Sequence, residues 1–256
     1  MALHRPGALC RDLSDWILDT AAQRPYSAAF VSALLATAVS FSLIDRPVAR
    51  WTASHMSDFQ KRVMADLTEI AAVEVYLLLS VMLFLAFRYA HRRLIMKRNR
   101  DVAEAARNAC LFVIASVIAT GLAGIALKTA LGRMRPRAFL EQGLYGFSPF
   151  NVSDFSMNAL PSGHTQFMFT LAMSLTLVYP RYDAFYFFFA ATVGVLRVLQ
   201  GAHWISDVIA GAYIGMLGPI LVKKYLFDAK GLPVRVMLGR DRHLFVPSEP
   251  GYSQAR

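Results

Sequence analysis

The stretch Arg197-Val198-Leu199-Gln200-Gly201-Ala202-His203-Trp204-Ile205-Ser206-Asp207 lies between two apolar segments, residues 184–196 and 208–222. A cation, an imidazole and a carboxylate between two membrane-type segments are costly unless they do chemistry. His203 and Asp207 are four residues apart, so on a helix they share a face and come within reach of each other. A carboxylate in that position holds an imidazole in one tautomer and leaves its other nitrogen free to attack. The two flanking segments therefore suggest helices that cross a membrane and carry a polar site between them.

Composition agrees. The 256 residues are 56% hydrophobic and 17% charged, with a mean hydropathy of +0.41. A soluble domain carries about 25% charged residues and roughly 45–50% apolar ones. The net charge of +10 reads as positively charged loops on one membrane face. No basic and aromatic stripe of the nucleic-acid-binding kind appears, so no nucleic acid partner is expected. Cys10 and Cys110 provide neither a disulfide framework nor a metal site. Residues 1–23 are amphipathic and interrupted by Asp12, Asp15 and Asp19, so no signal peptide is expected there.

Six apolar runs follow along the chain. They cover about 26–44, 70–90, 109–131, 165–179, 184–199 and 205–222. The first is expected to end at Asp45, Arg46 and Pro47, with a polar, partly helical connection over 45–69. Glu74 sits near the start of the second and reads as a snorkelling or packing carboxylate. Gly121 and Gly124 predict close helix contact in the third. Residues 10–19, with Leu13, Trp16 and Ile17 on one side, read as an interfacial helix or, alternatively, a disordered tail. The expected fold is all-α: a polytopic membrane bundle of six transmembrane helices with an N-terminal interfacial helix. The expected divisions are an N-terminal segment (1–25), a core (26–222) and a tail (223–256).

Six spans put both termini on one side, and lysine and arginine choose which. That side collects 18 basic residues and the other 9, of which 5 lie at Lys128, Arg133, Arg135, Arg137 and Arg197. The excess marks the termini as cytoplasmic. Residues 128–163 and 197–207 then share the opposite, periplasmic face of what reads as a bacterial inner-membrane protein.

Two further pieces meet the opening stretch at that face. Lys128 and Arg135 are seven apart, about two helical turns, so both cations can point the same way. Pro136 makes Arg135 a helix boundary. Arginine suits bidentate recognition of phosphate, and lysine supplies a point charge. The other piece is Pro161-Ser162-Gly163-His164 ahead of an apolar helix. Ser162 can cap that helix, Gly163 permits close approach to the backbone, and free N–H groups at a helix N-terminus bind anions. His164 could donate a proton to a leaving oxygen. Each piece alone has a bland reading, as helix-end cations or a plain N-cap. Together they describe a tetrahedral-oxyanion site, with no cysteine or carboxylate cluster to hold a metal.

Lys-(six)-Arg-Pro, Pro-Ser-Gly-His and Arg-(five)-His-(three)-Asp, in this order, resemble the three signature motifs of the type 2 phosphatidic acid phosphatase superfamily. Leu196 departs from the pattern, which usually has serine before the motif arginine. The resemblance implies that Lys128, Arg135 and Arg197 grip the phosphate oxygens, with Ser162 and the Gly163 N–H completing the cradle. It implies that His203 attacks phosphorus to form a phosphohistidine, that Asp207 orients His203, and that His164 protonates the leaving alcohol and then activates water. No cofactor and no metal are implied.

The expected function is that of a membrane lipid-phosphate phosphatase, a phosphoric ester hydrolase whose partners are a lipid phosphate and the bilayer. Candidate substrates are phosphatidylglycerol phosphate, phosphatidic acid, undecaprenyl diphosphate, lipid A phosphate and sphingoid phosphates. The alternatives are a vanadate-dependent haloperoxidase-like enzyme, whose chemistry needs no membrane body, and a transporter or scaffold. Clustering of the motifs at one face argues against a midplane transport site. The aromatics Phe139, Tyr145, Phe147, Phe150 and Phe155 are expected either to shape the entrance or to form an interfacial belt.

Overall fold

A computed structural model describes residues 23–71, 73–93, 97–150 and 158–234. The first run begins as α1 (Pro25–Val39), continues through a π-helical turn (Ser40–Ile44) and ends as α2 (Asp45–His55). It does not stop at Asp45–Pro47 as expected. Pro47 falls in the first turn of α2, where a missing N–H costs little. Asp45 is also not a solvent-facing terminator; it is buried against Arg133. The connection that follows is helical too. Ser57 and Gln60 form a reciprocal cap that starts α3 (Asp58–Thr68).

The remaining helices are α4 (Val73–Arg93), α5 (Lys97–Leu131), the short α6 (Pro136–Gln142), α7 (Gly163–Val178), α8 (Asp183–Leu199) and α9 (Ile205–Val222). Helix continues past 222 as a π-helical segment, Lys223–Phe227, and a 3-10 turn, Asp228–Lys230. Phe227 and Val234 pack with Ala109, Phe112, Val178 and Val222. Among the described residues the architecture is all-helical, and five helical runs are long and apolar enough to cross a bilayer. The helix α7, with 16 residues, falls below that length. The proposed interfacial helix at 10–19 lies outside the described residues.

Helix α7 is the centre of the bundle, packed by α9, α8 and α5, while α4 lies on α5 and α1 on α9. Its core contacts include Phe167, Met168 and Ala172 against Val113, Val117, Ala190 and Val193. Outward faces are apolar and exposed, as at Leu34, Leu35, Leu78, Met82, Phe185 and Phe188. That is the arrangement of helices whose solvent is lipid. The aromatic run at 185–189 splits accordingly: Tyr186 and Phe187 pack on the core while Phe185 and Phe188 face out.

Small residues bring the central helices together. A Cβ on Gly211 would lie 2.8 Å from the Ser162 carbonyl oxygen, and one on Gly194 would lie 2.9 Å from Val208 Cγ1. Gly215, one turn beyond Gly211, faces Phe169 and Thr170. Gly124 meets the expectation of close contact, because Gln166 occupies the space its side chain would take. Gly121 does not; it has open space. The tight α7–α9 crossing lets the Ser162 N–H donate to the Asp207 carbonyl at 3.0 Å. The helix-start motif and the His–Asp motif are thereby joined through the backbone.

Candidate active site

Helix α5 ends at Leu131, and Gly132 takes a left-handed φ of +54° to turn the chain. Arg135 is extended and caps α6, with Pro136 first in that helix, as the sequence predicts. Lys128 and Arg135 are therefore not on one helix. The turn at Gly132, rather than helical spacing, makes them neighbours. The loop is held by backbone bonds from Ser148 to Gly132 at 2.8 Å and from Ala159 to Arg133 at 2.9 Å.

Ser162 is the N-cap of α7, but its side chain accepts no bond from the helix backbone. It accepts instead from the Thr165 hydroxyl at 2.9 Å. The first N–H groups of α7 are thus left for another acceptor. Lys128 Nζ lies 3.5 Å from the position that a Gly163 side chain would occupy, so the lysine leans over that helix start. His164 follows, partly exposed.

Arg197 closes α8. Its guanidinium reaches the Thr68 hydroxyl at 3.4 Å, and the Gln200 amide oxygen, turned to face it, accepts from Nε and Nη1. The backbone then folds back, with the His203 N–H donating to the Arg197 carbonyl at 3.2 Å. Lys128, Arg135, Arg197, His164 and His203 lie close enough to act on one another electrostatically. No ion pair involves Lys128, Arg135 or Arg197 among the described residues, and the buried Arg135 Nε has no hydrogen-bond partner. Uncompensated cations around a helix N-terminus make an anion site.

His203 is 2% exposed, and its Nδ1 faces Asp207 Oδ2 at 3.4 Å. Donation from Nδ1 leaves Nε2 with its lone pair. Burial, reinforced by the Arg197 and Arg135 charges and opposed by Asp207, pulls the imidazole down to about 4. It is therefore neutral near pH 7, the form an attacking nitrogen needs. Asp207 is not the N-cap of α9 but its third residue, and it reaches back to the Trp204 N–H at 2.9 Å.

Two residues emerge that sequence reasoning did not assign to the site. Arg133 Nη1 lies 2.5 Å from both Asp207 Oδ1 and Ser206 Oγ, and Nη2 lies 2.6 Å from Asp45 Oδ2. Asp45 also accepts from Ser40 Oγ, Ser206 N–H and Ser206 Oγ. Arg133, Asp45 and Asp207 are all essentially inaccessible to solvent. The rings of Phe41, Phe147 and Trp204 surround the Arg133 guanidinium at 4.9–5.9 Å. In the same clasp Phe139 packs tilted against Trp204 and Tyr145 meets it edge to face. Of the aromatics in this region, Phe147 thus covers the buried Arg133, while Phe139 and Tyr145 pack against Trp204 behind it. Phe150 is exposed, and Phe155 lies outside the described residues.

Beside the cations lies a cavity of about 510 Å³ between α4, α5 and α7. Lys128, Gly163 and His164 form its polar end, Val117, Ile125 and Phe167 part of its apolar wall, and Glu69 and Glu74 its acidic edge. Glu74, read as a snorkelling or packing carboxylate, borders this space. His203, Arg135 and Arg197 are not on the cavity wall. Among the described residues no group of three or more histidine, cysteine or carboxylate side chains is arranged to hold a metal.

Comparison with known proteins fits this geometry. Residues 109–230 match the PAP2 superfamily. A Rhizobium etli protein named lipid A 1-phosphatase is 31% identical over 180 residues, 70% of this chain and 76% of that protein. The chain belongs to the PAP2 superfamily. It is an integral-membrane lipid phosphatase, a phosphoric ester hydrolase, as the three motifs led us to expect. A lipid A 1-phosphatase of Rhizobium johnstonii is 32% identical over 136 residues, 53% of this chain and 55% of that protein. A PAP2-type phosphatidylglycerolphosphate phosphatase from Bacillus subtilis shares the fold, with a TM-score of 0.54 and 21% identity. That match covers 80% of this chain and 96% of the Bacillus chain.

Proposed function

We propose that this PAP2 phosphatase removes the 1-phosphate of lipid A by a phosphohistidine mechanism that needs no metal. The observation that carries the mechanism is the set of cations without ion-pair partners among the described residues, Lys128, Arg135 and Arg197, gathered around the α7 N-terminus and two histidines. They would take the phosphate oxygens, with the Ser162 hydroxyl and Gly163 N–H. His203 Nε2 would attack phosphorus as the bond to the lipid oxygen breaks, and His164 would protonate that oxygen. Water, deprotonated by His164, would then release phosphate from His203. A protonated His164 among three cations is tolerable only once phosphate brings its negative charge, which ties proton donation to substrate binding.

The choice of lipid A rests on the two Rhizobium relatives and their names. The Bacillus neighbour makes phosphatidylglycerol phosphate the second candidate. We further propose that α7 completes six spans. At 1.5 Å per residue its 16 residues reach about 24 Å, and it is enclosed by longer helices. The charge bias then favours cytoplasmic termini and a periplasmic site in an inner membrane.

The test is release of inorganic phosphate by detergent-purified protein from lipid A, phosphatidylglycerol phosphate, phosphatidic acid and undecaprenyl diphosphate, with and without chelator. Lipid A should be the best substrate, and the chelator should change nothing. Preference for another lipid overturns the substrate, and loss of activity with chelator overturns the metal-free mechanism. A reporter fused after Arg256 should read cytoplasmic; a periplasmic signal would reverse the orientation.

A further inference from the structure

The chain of contacts behind His203 reaches the first membrane helix. His203 faces Asp207, Asp207 is bound by Arg133, and Arg133 is bound by Asp45 at the junction of the π-helical turn and α2. Neither Asp45 nor Arg133 touches the cavity, and both are 1% exposed. A buried arginine clamped between two carboxylates is a costly arrangement that packed apolar residues could replace without loss of stability. Here every oxygen of both carboxylates is used. Asp45 Oδ1 accepts from Ser40 and the Ser206 N–H, and Oδ2 from Arg133 and Ser206 Oγ. Asp207 Oδ1 accepts from Arg133, and Oδ2 meets the Trp204 N–H and His203. Asp207 has no freedom to turn away from the imidazole.

We propose that Asp45 and Arg133 are positioning residues for the reaction. Through Asp207 they fix the orientation of His203 and set how readily it takes a proton. The inference rests on His203 being the nucleophile. The planar guanidinium contributes geometry, because one fork holds both carboxylates. The charges contribute balance. Two carboxylates and one guanidinium leave one net negative charge behind His203, facing Arg135 from the loop before α6, Arg197 from α8, Lys128 from α5 and His164 from α7. Asp45→Asn removes that negative charge and leaves Arg133 to draw on Asp207 alone. Arg133→Gln leaves two carboxylates without a cation between them. The two substitutions therefore shift the proton affinity of His203 in opposite directions, which a merely structural role does not predict.

The experiment measures kcat, KM, the Ki of inorganic phosphate and the acid limb of the kcat/KM–pH profile. Both variants should lose kcat on the order of 10- to 100-fold, by analogy with the loss on removing the outer partner that orients a metal-bound imidazole. KM and the phosphate Ki should stay near wild type, because the three clamp cations are untouched. The acid limb should move by about one unit, downward in Asp45→Asn and upward in Arg133→Gln. Arg133→Lys and Asp45→Glu, which keep the charges, cover the case that neither neutralising variant folds. They should lower kcat with the limb and the phosphate Ki unmoved. Wild-type kcat in these variants, limb shifts in the same direction, or a rise in phosphate Ki matching the loss of kcat would overturn the proposal. An active His203→Ala enzyme would instead sink the phosphohistidine mechanism beneath it.

Discussion

The two halves of the site are built on opposite plans. On one side Lys128, Arg135 and Arg197 are half-buried cations with no carboxylate partner among the described residues, arranged around a helix N-terminus and next to a cavity. On the other, Asp45, Arg133, Ser206 and Asp207 are fully buried, and each carboxylate oxygen is satisfied. The first half is incomplete without an anion. The second half has no place for a ligand. Unpaired charge in a low-dielectric site is unfavourable until the ligand arrives, so the open half stores affinity for phosphate. Paired charge is rigid, so the closed half fixes direction. His203 sits at the boundary, facing Asp207 on one side and near the cations on the other.

That division predicts different kinetic losses on the two sides. The largest belongs to the boundary itself. His203→Ala removes the proposed nucleophile, and phosphate release should fall on the order of 10⁴-fold or more. Near-normal activity would make the His203–Asp207 contact a structural feature only. Next comes the open half. Arg135→Ala should cost about 10²- to 10³-fold in kcat/KM and weaken inhibition by inorganic phosphate. If kcat alone fell and phosphate inhibition were unchanged, Arg135 would belong with the closed half and the comparison would fail.

The two halves were also unequally legible in the sequence. The open half could be read because its residues stand in short, ordered patterns: Lys128 with Arg135 and Pro136, then Ser162 to His164, then Arg197 to Asp207. The closed half could not. Asp45 and Arg133 are 88 residues apart, and each had a plainer reading. Asp45 followed by Arg46 and Pro47 looked like the polar end of a span. Arg133 looked like one of several loop cations. What makes them a pair is the π-helical turn that carries the first helix beyond Asp45, together with the Gly132 turn. Neither leaves a spacing to detect. The apolar runs located the helices well, but α7 was legible only as a short run, because a helix surrounded by other helices need not match the bilayer thickness. Charge patterning also gave Glu74 no reason to border the cavity.

The boundary histidine gives a pH test. Its folded-state value is lowered to about 4 by burial and the nearby arginines, against an ordinary value of 6.5. Protonation removes the attacking lone pair, so the acid limb of kcat/KM set by His203 should lie below the ordinary histidine range, while the alkaline side of the profile follows the proton that His164 must donate. Below the folded value it should fall about tenfold per pH unit. Folding responds over a different window. The unfolded chain binds the proton first, so the stability contribution is present above 6.5 and is lost as pH falls from 6.5 towards 4. An acid limb centred near 6.5 would mean that the imidazole is hydrated, and that His203 is not sealed behind the closed half.

A smaller effect tests the contact that joins the halves. Gly211 lets α9 approach Ser162, where a Cβ would stand 2.8 Å from a backbone oxygen that cannot swing aside. Gly211→Ala should separate α7 from α9, weaken the Ser162 N–H bond to Asp207 and destabilise the protein by about 1–3 kcal/mol. Thermal denaturation in detergent reads the stability. Activity should drop about tenfold, since a small misplacement of reacting groups is enough to slow chemistry. An unchanged melting temperature would show that the crossing is looser than the geometry describes.

The smallest effect separates binding from proton transfer at Ser162. The Thr165 hydroxyl donates to Ser162 Oγ at 2.9 Å, which turns the Ser162 proton outward and leaves it available to a phosphate oxygen. Thr165→Val keeps the shape of the side chain and removes the donor. The Ser162 hydroxyl then rotates freely, and the lost ordering is that of one neutral hydrogen bond, about 0.5–1.5 kcal/mol, or roughly 2- to 10-fold. Because the open half acts by gripping phosphate, the loss should appear in KM and in the phosphate Ki, with kcat nearly constant. A loss of 100-fold or more, carried by kcat, would mean that Ser162 moves a proton during the reaction. The phosphate cradle would then be part of the chemistry, and the line between a gripping half and an orienting half would have to be redrawn through Ser162.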